Sequence, residues 1–401
     1  MSTATELLSA IKDVGTDPTR GGYSRHGFDH AELELREWFT AEAGKRGLDV
    51  EVDRNGNIWA WWGAPGPDAL VTGSHLDSVP GGGAFDGPLG VVSALAAVDV
   101  LQAKEFKPGR PLALMVFAEE EGGRFGVPCL GSRLLAGVTS AETALALKDR
   151  DGDTFADAVK AAGLDPARIG RDDEALSRIG KFVELHVEQG RGLIDIGSAV
   201  GVATSILAHG RWRFRFTGQG NHAGATPMTT RHDPMLPASQ LVLSARWAAS
   251  GVDGARATVG RIEPIPGGTN VIASSVDVWL DARGPNDGRT RTVVERITAA
   301  ARQAARDEGC EVTVTEESYG DTVHFDSALR EELADALGGK VPGLPTGAGH
   351  DAGILAAHVP TAMLFVRNPT GISHAPAEHA EADDCEAGVA ALAKVLEKLA
   401  G

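Results

Sequence analysis

The chain has 401 residues, and its 55 acidic against 38 basic side chains give a formal net charge of −17. This excess of acid argues against nucleic acid or an anionic membrane surface as a partner. Hydrophobic residues at 42% and charged residues at 23% are ordinary for a globular protein, and this length predicts two domains.

The first elements predict helices followed by a hairpin. A short helix is expected over residues 4–13, and a longer one over 30–46 with Asp29 as its N-cap. Residues 48–63, LDVEVDRNGNIWAWWG, alternate between apolar and polar side chains and contain the turn signal Asn55-Gly56. We therefore predict a hairpin whose tryptophans form a packed strand face.

Three apolar strands end in residues suited to metal binding or to acid–base chemistry. The stretch 71–91, VTGSHLDSVPGGGAFDGPLGV, opens as a strand and leads into a helix that reaches Ala103. Strands over 111–118 and 181–190 follow. The polar residues at or after these strand ends are His75, Asp77, Asp86, Glu119, Glu120, Glu121, His186, Glu188 and Gln189. Because strand ends in an open α/β sheet line one crevice, the pattern predicts an α/β sheet with a site there.

The pattern changes after residues 128–177, which look helical and loop-rich. Strands are predicted over 210–220, 255–263, 274–284 and 310–317, with helices over 233–250 and 288–308. This β-α-β-β-α-β order is the ferredoxin-like pattern, and it predicts an inserted domain over 209–318. The first domain then comprises 1–208 and 319–401, with a helix near 326–338, a strand over 360–366 and a helix over 383–399.

Each candidate ligand has a structural alternative when it is considered alone. A run of glutamates such as Glu119–Glu121 is commonly a solvated loop, and a single His186 is commonly a satisfied core histidine. His374, in GISHAPAEH, fits either interpretation. Together these residues supply imidazoles and carboxylates from separate loops, which is a ligand set for two cations with Asp86 as the bridge.

Several motifs carry a resemblance to a known family. They are GSHLDSVPGGGAFDGPLGV, EEEGGRFGVPCLGSR, ELHVEQG, NHAGATPM, PGGTN, LDAR, AGHDA and GISHAPAEH. In this order, and over nearly the whole chain, they resemble the dinuclear-metal exopeptidase and aminoacylase family. The closest branch contains N-carbamoyl-L-amino-acid hydrolases, allantoate amidohydrolases and β-ureidopropionases. The resemblance implies a mixed-sheet dimetal hydrolase domain with an inserted ferredoxin-like α+β domain that serves as lid and dimerisation domain.

The resemblance also implies ligand roles. One cation would be held by His75, Asp86 and His186, and the other by Asp86, Glu121 and His374. Glu120 would be the general base, and the Asp77 carboxylate would orient the His75 imidazole. A carboxylate often stands at the position of His186 in related peptidases, so the histidine favours the carbamoylase branch.

Substrate contacts follow from the same resemblance. Arg283 would clamp a substrate carboxylate, although such an arginine can also be a surface residue of an edge strand. Asn270 and Gln189 would contact the substrate, and His222 would stabilise the oxyanion. In the family His222 and Asn270 reach the site from the partner subunit of a homodimer. His350, with Asp351 beside it, is expected at the rim of the site or behind the ligands.

The implied activity is metal-dependent cleavage of the ureido C–N bond of an N-carbamoyl-L-amino acid or of allantoate, releasing ammonia and CO2. Two divalent ions are expected, Mn or Zn, with Co and Ni as alternatives. A dipeptidase or N-acyl-L-amino-acid hydrolase of the same fold is a second hypothesis, and a non-catalytic binding protein is a third. The complete set of ligands and base argues against the third.

The expected location is the cytoplasm. Cys129, Cys310 and Cys385 are few and widely spaced, which predicts a reducing compartment without a disulfide framework. The N-terminus lacks a signal-peptide pattern, and no apolar run approaches the roughly 18 residues of a membrane span.

Overall fold

The computed structural model describes residues 2–401 and divides into two compact units. The first comprises the chain up to Ser205 together with His324–Gly401, and the second is Ile206–Val323. The second unit is therefore slightly longer at both ends than the segment 209–318 delimited from the sequence. Its role as a lid and dimerisation domain stays a prediction.

The elements are as follows. The helices are α1 (Ala4–Ala10), α2 (His30–Lys45), α3 (Pro88–Ala103), α4 (Leu130–Ala136), α5 (Ala141–Leu145), α6 (Phe155–Ala161), α7 (Asp173–Arg178), α8 (Gly192–Ile196), α9 (Met235–Ser250), α10 (Asp287–Asp307), α11 (Ser327–Ala336), α12 (Asp351–Leu355) and α13 (Ala382–Ala400). The strands are β1 (Asp49–Val52), β2 (Ile58–Trp62), β3 (Ala69–His75), β4 (Leu112–Phe117), β5 (Ile179–Val187), β6 (Val200–Ile206), β7 (Ala208–Thr217), β8 (Asn221–His222), β9 (Arg256–Ile265), β10 (Val271–Ile272), β11 (Ser275–Gly284), β12 (Glu311–Gly320), β13 (Val323–His324), β14 (Gly343–Thr346) and β15 (Thr361–Val366).

The large sheet is mixed, as the family resemblance implies. Its order is β1-β2-β4-β3-β5-β15-β6-β13, and β14 also pairs with β6. The central strands β4, β3, β5 and β15 run parallel, whereas β2 pairs antiparallel with β1 and β4, and β6 pairs antiparallel with β15. Strands β3, β4 and β15 are buried along their whole length, and β5 is buried from Phe182 to Val187, because helices cover both faces of such sheets.

Helix α3 is the central buried helix of the first unit. Its N-cap is Gly87, at φ 82°, and Pro88 occupies the first helical position, where a missing N–H costs nothing. The helix contacts β3, β5 and α13, and Val92, Leu95 and Val98 are fully buried in the core. A helix that is apolar on nearly all sides must be enclosed in this way.

The hairpin prediction is confirmed, whereas five strands were not predicted: β6 and the short strands β8, β10, β13 and β14. β1 and β2 pair antiparallel, and the rings of Trp59 and Trp61 stack at 5.5 Å and are buried. Helix α1 ends at Ala10 rather than at residue 13. Strand β6 was not predicted, because its small residues Gly201 and Ala203 weaken the strand pattern and because β7 follows almost directly.

The second unit has the predicted ferredoxin-like order. Its sheet runs β12-β7-β11-β9, with every neighbouring pair antiparallel. Trp212, Phe214 and Phe216 of β7 point to one face and are buried with residues of α9 and α10. On the other face Arg215 forms an ion pair with Asp277 at 2.6 Å. The alternation along β7 therefore corresponds to a buried and a solvated face.

Candidate active site and metal centre

The candidate ligands meet at the ends of the parallel strands in the first unit. His75 ends β3, Glu120 and Glu121 follow β4, and His186 lies near the end of β5. Adjacent parallel strands place these ends side by side, since His75 pairs in register with Phe117 of β4. Asp86 joins them from the loop before α3. This loop passes so close that a Cβ atom on Gly87 would lie 2.4 Å from the His75 ring.

The first cluster contains His75, His186 and one oxygen of Asp86. Asp86 Oδ1 lies 3.2 Å from His186 Nε2 and 3.6 Å from His75 Nε2. The Nδ1 atoms of the two imidazoles lie 3.1 and 2.9 Å from the carbonyl oxygens of Asp77 and Val187. Each Nδ1–H can therefore donate to a carbonyl, which leaves both Nε2 lone pairs pointing into the cluster, as in metal-binding histidines.

The second cluster uses the other oxygen of Asp86. His374 Nε2 lies 3.4 Å from Asp86 Oδ2 and 3.4 Å from Glu121 Oε2. His374 has a left-handed backbone, φ 56°, and its side chain is 49% exposed. A non-glycine residue in this region of φ is strained and is commonly held so at functional sites. Asp86 thus shares its two oxygens between the two clusters.

The two clusters fit cations. Ligand atoms held roughly 2.0–2.2 Å from one tetrahedral ion lie roughly 3.3–3.6 Å apart, close to the separations observed here. His75 Nε2, His186 Nε2 and Glu121 Oε1 are buried and have no hydrogen-bond partner among residues 2–401. Buried polar atoms are normally partnered, so these orphaned atoms indicate that a ligand belongs between them.

The electrostatics of the clusters favour positive charge. Burial raises the pKa of Glu121 to about 7, and the Asp86 carboxylate adds to the shift. Burial also acts to raise the pKa of Asp86, but the facing His186, His374 and His75 imidazoles outweigh it and hold that pKa well below its ordinary value. A cation would relieve the repulsion between these carboxylates.

Glu120 lies beside the first cluster and has two distinct oxygens. Its Oε2 lies 3.6 Å from His75 Nε2, and its Oε1 accepts a hydrogen bond from the Cys129 thiol at 3.1 Å. Burial raises the pKa of Glu120 well above its ordinary value. Glu119, in contrast, accepts backbone N–H bonds from Gly27, Arg124 and Phe125, and so it anchors loops.

Two residues with expected supporting roles, Asp77 and His350, lie next to the histidines of the first cluster. The Asp77 carboxylate accepts the backbone N–H groups of Glu120 and Glu121 at 3.1 and 3.0 Å, and its Oδ1 also lies 3.6 Å from His75 Nδ1, which the Asp77 main-chain oxygen approaches to 3.1 Å. His350 is not at a rim: it is 3% exposed, and its ring packs against His186 at 4.6 Å. Asp351 beside it is fully buried.

Four further residues at the site escaped the sequence analysis. The Glu378 carboxylate accepts the backbone N–H groups of Phe85 and Asp86, both at 2.9 Å. Ser373 donates to Asp86 Oδ2 at 3.1 Å, and Cys129 donates to Glu120. Glu184 accepts from Ser74 and from the Ala352 N–H. Glu184 carried a signal of its own, because a carboxylate within the apolar strand FVELHV must find partners, whereas Cys129, Ser373 and Glu378 stand in motifs quoted above without a pattern that marks their contacts.

Gln189 lies within the second cluster. Its Nε2 donates to Asp86 Oδ2 at 2.7 Å and to Ser373 Oγ at 3.2 Å, and its Oε1 is buried without a partner among the described residues. This side chain therefore reaches the bridging carboxylate directly. Its unpartnered oxygen is free to accept a hydrogen bond from a substrate nitrogen.

His222, Asn270 and Arg283 belong to the second unit. His222 pairs with Val271 in the two-stranded ladder of β8 and β10, and the Asn270 carbonyl accepts from the Ala223 N–H at 3.0 Å. His222 Nδ1 accepts the N–H groups of Gly224 and Ala225, so its proton lies on Nε2. The Arg283 guanidinium forms a two-point ion pair with Asp281, at 2.8 and 3.1 Å.

The two clusters share one carboxylate and lie at the strand ends of a mixed α/β sheet. This arrangement defines the class of dinuclear metal-binding hydrolases. The chain belongs to peptidase family M20/M25/M40, whose sequence profile matches residues 71–398. This membership agrees with the resemblance carried by the motifs.

Curated relatives cover nearly the whole chain. An N-carbamoyl-L-amino acid amidohydrolase of Geobacillus stearothermophilus is 35% identical over 98% of this chain and 97% of its own length. A ureidoglycolate hydrolase of Arabidopsis thaliana is 35% identical over 88% and 77%. An allantoate amidohydrolase of Escherichia coli is 31% identical over 98% and 97%.

A solved structure agrees with the fold. The crystal structure of an amidase of the hydantoinase/carbamoylase family from Burkholderia vietnamiensis matches with a TM-score of 0.86 and 31% identity, covering 99% of this chain and 96% of that one.

Among residues 2–401 the structure contains no helix with the length and apolar character of a membrane span.

Proposed function

We propose that this protein is a dinuclear-metal amidohydrolase that cleaves the ureido C–N bond of a small carboxylate-bearing substrate, with release of ammonia and CO2. The observation that carries the proposal is the shared Asp86 carboxylate, with unpartnered ligand atoms on both sides and the buried Glu120 next to it. The activities named for the relatives support the ureido bond as the target.

The cation ligands follow from the two clusters. His75, Asp86 and His186 would hold one ion, and Asp86, Glu121 and His374 the other. Two bound divalent ions, Mn or Zn, would supply an activated water and a Lewis acid for the substrate carbonyl. Mixed nitrogen and oxygen ligands suit both metals, and Co or Ni as well.

Glu120 is the proposed general base. Its Oε2 faces the cluster, so this oxygen is the atom that takes the proton from the attacking water. The raised pKa allows the carboxyl to hold that proton and then to deliver it to the departing ureido nitrogen. Burial keeps bulk water from competing for the proton.

Residues of the second unit would complete the site. The Nε2–H group of His222 is set up to donate to the oxygen that becomes negative during attack. Arg283 would exchange its ion pair with Asp281 for the substrate carboxylate, which its planar fork can bind, Asn270 would contact the same carboxylate, and Gln189 would bind the ureido end.

Three substrates share the required carboxylate and ureido groups: an N-carbamoyl-L-amino acid, allantoate and ureidoglycolate. The relatives include hydrolases named for each of them. The family name also keeps a dipeptidase or N-acyl-amino-acid hydrolase as the second candidate. A non-catalytic binding protein would need no buried base beside its metal ligands.

The test is metal-dependent turnover of a substrate panel. Purified protein is stripped with a chelator and reloaded with Mn, and ammonia release is followed with the three ureido substrates and N-carbamoyl-β-alanine. Amine release is followed with N-acetyl amino acids and a dipeptide. E120Q should retain its metal and lose activity by roughly 10²–10⁴-fold. Cleavage of only the acyl or peptide substrates would contradict the ureido proposal, and active E120Q would contradict the base.

We further propose a homodimer in which His222 and Asn270 act in the partner's site. Met228, Leu243 and Trp247 of the second unit are large, apolar and exposed, which supports association through this unit. Light scattering measures the mass of the assembly. Mixing the inactive variants E120Q and H222A tests whether His222 of one subunit acts in the site of its partner. Half of the dimers would be mixed, each with one intact site, so roughly a quarter of the activity should return. No recovery after verified exchange would place His222 in its own subunit's site.

The cytoplasmic location also remains a proposal. All three cysteines are unpaired and buried, which supports a reducing compartment.

A further inference from the structure

We propose that Cys129 is a positioning residue for the general base: its thiol holds Glu120 Oε1 and thereby assigns Oε2 as the oxygen that carries the proton. The proposal rests on the proposed role of Glu120. It concerns a side chain that the mechanism above does not use, and it gives the two oxygens of one carboxylate different tasks.

The backbone fixes the thiol beside the carboxylate. Cys129 precedes α4, and its N–H donates to the Glu120 carbonyl at 2.6 Å, while the next N–H, of Leu130, donates to the Glu119 carbonyl at 3.0 Å. Cys129 has a left-handed backbone, φ 55°, which is unfavourable for a residue with a Cβ atom. These two hydrogen bonds hold the strained residue in place, and its side chain lies over Glu120.

The contact between the side chains is a buried hydrogen bond. Cys129 Sγ lies 3.1 Å from Glu120 Oε1, and the two residues are 3% and 5% exposed. Burial raises the pKa of the Cys129 thiol well above its ordinary value, so the thiol keeps its proton and is the donor. The thiol is thus a donor to an oxygen that is largely withdrawn from solvent. A donor on a buried carboxylate is worth more than one in water.

The consequence is rotational. A carboxylate held at one oxygen cannot turn about its terminal bond and exchange its two oxygens. Oε2 therefore stays on the side of His75, 3.6 Å from the imidazole nitrogen that faces the candidate cation position. Without the thiol, Glu120 would remain beside the site but would point its basic oxygen correctly for a smaller fraction of the time.

The kinetic test compares C129A, C129S and C385A. Cys385 is an equally buried thiol in α13 and controls for the loss of packing. We expect C129A to lower kcat by about 10–100-fold, the value of a hydrogen bond to a charged group, with KM and bound metal unchanged. C129S should recover most of kcat because a hydroxyl can donate in the same place, and C385A should retain the wild-type kcat.

A second measurement needs no activity. The S–H stretching band lies where proteins absorb little else, and a hydrogen bond to a carboxylate moves it to lower frequency. We expect a low-frequency band that disappears in C129A, persists in C385A and moves to higher frequency in E120A.

The outcomes separate the two proposals. If the wild-type enzyme cleaves only acyl or peptide substrates, the ureido assignment fails, and the same variants are compared on those substrates. If no substrate is cleaved, the infrared band decides the contact. Wild-type kcat in C129A, equal losses in C129A and C385A, a C129S variant no better than C129A, or a band unaffected by E120A would each overturn the role of Cys129.

Discussion

Chelation should make the stability of the first unit depend on pH in a defined direction. Burial, reinforced by the nearby Asp86 carboxylate, raises the pKa of Glu121 and of Glu378 to about 7 from an ordinary 4.5. The pKa of Glu119 is raised to about 8, mainly by burial, so it shifts in the same direction. Stripped of cations, the folded unit must keep these carboxyl groups protonated or accept buried negative charge. We therefore expect the metal-free protein to become less stable as the pH rises.

The sign and size follow from linkage. Because the folded-state pKa lies above the unfolded one, the folded state holds protons that the unfolded state has already lost. The stability from this proton is fully present below about pH 4.5 and is lost as the pH rises through about 7. Between about pH 6 and pH 8 each group at about 7 removes roughly 1.4 kcal/mol, so Glu121 and Glu378 together remove about 3 kcal/mol. This corresponds to a decrease in Tm of roughly 5–10 °C. The raised pKa of His374 also makes the protein less stable as the pH rises, but its contribution is smaller because the side chain is half exposed to solvent.

Calorimetry at about pH 6, 7 and 8, with and without Mn, measures the effect. Cations bind the deprotonated ligands, so the stabilisation by metal should grow with pH. In the metal-free protein, E121Q and E378Q should each reduce the slope by roughly 0.7 kcal/mol per pH unit, and the remainder of the slope belongs to Glu119 and His374. A Tm of the stripped protein that stays constant or rises between about pH 6 and pH 8 would refute the assignment of these buried acids.

Three further predictions concern single substitutions. G87A places a Cβ atom 2.4 Å from the His75 ring and should displace this ligand, which would weaken the affinity for metal by roughly 10–100-fold. The metal content measured after dialysis should therefore fall. G163A has a similar φ, +85°, and open space around it, and a loss of metal in this control would assign the effect to backbone strain alone. R283A should raise KM for carboxylate substrates by roughly tenfold or more with kcat nearly unchanged. R283K should not restore the wild-type KM, because lysine lacks the planar guanidinium that binds a carboxylate at two points. R213A on the solvated sheet face is the control, and an unchanged KM in R283A would remove Arg283 from the site. W59A, which empties a fully buried position, should lower the free energy of unfolding by about 3–5 kcal/mol in urea titrations, and a loss below about 1 kcal/mol would show that the hairpin face is not part of the core.

Local patterns were sufficient for the elements that present the site. The apolar runs of β3, β4 and β5 predict buried parallel strands, and polar residues at their ends must share one edge of the sheet. For this reason His75, Glu121 and His186 could be grouped although more than a hundred residues separate the first from the last. The alternation along β7 likewise predicts one buried and one solvated face.

The supports of the site could not be read from the sequence. Glu378 holds the loop of Asp86 from nearly three hundred residues away, and Ser74 and the Ala352 N–H satisfy Glu184 from different segments. Partners of this kind leave no periodic pattern, because each is fixed by a single long-range contact. The Asp77 carboxylate illustrates the limit: the family resemblance implied a contact with the His75 imidazole, which lies 3.6 Å away, but the two backbone N–H groups that this carboxylate also binds left no signal in the sequence.

The sequence by itself therefore determined which elements form and which chemical groups stand at their ends, since both depend on side chains close along the chain. Only the tertiary structure decided which atom of each group contacts which partner. It gave Asp86 Oδ1 to His75 and His186 and Oδ2 to His374, and it gave Glu120 Oε1 to Cys129. The physical reason is that the direction of a lone pair depends on the packing of several distant segments at once, and a linear pattern does not encode that packing.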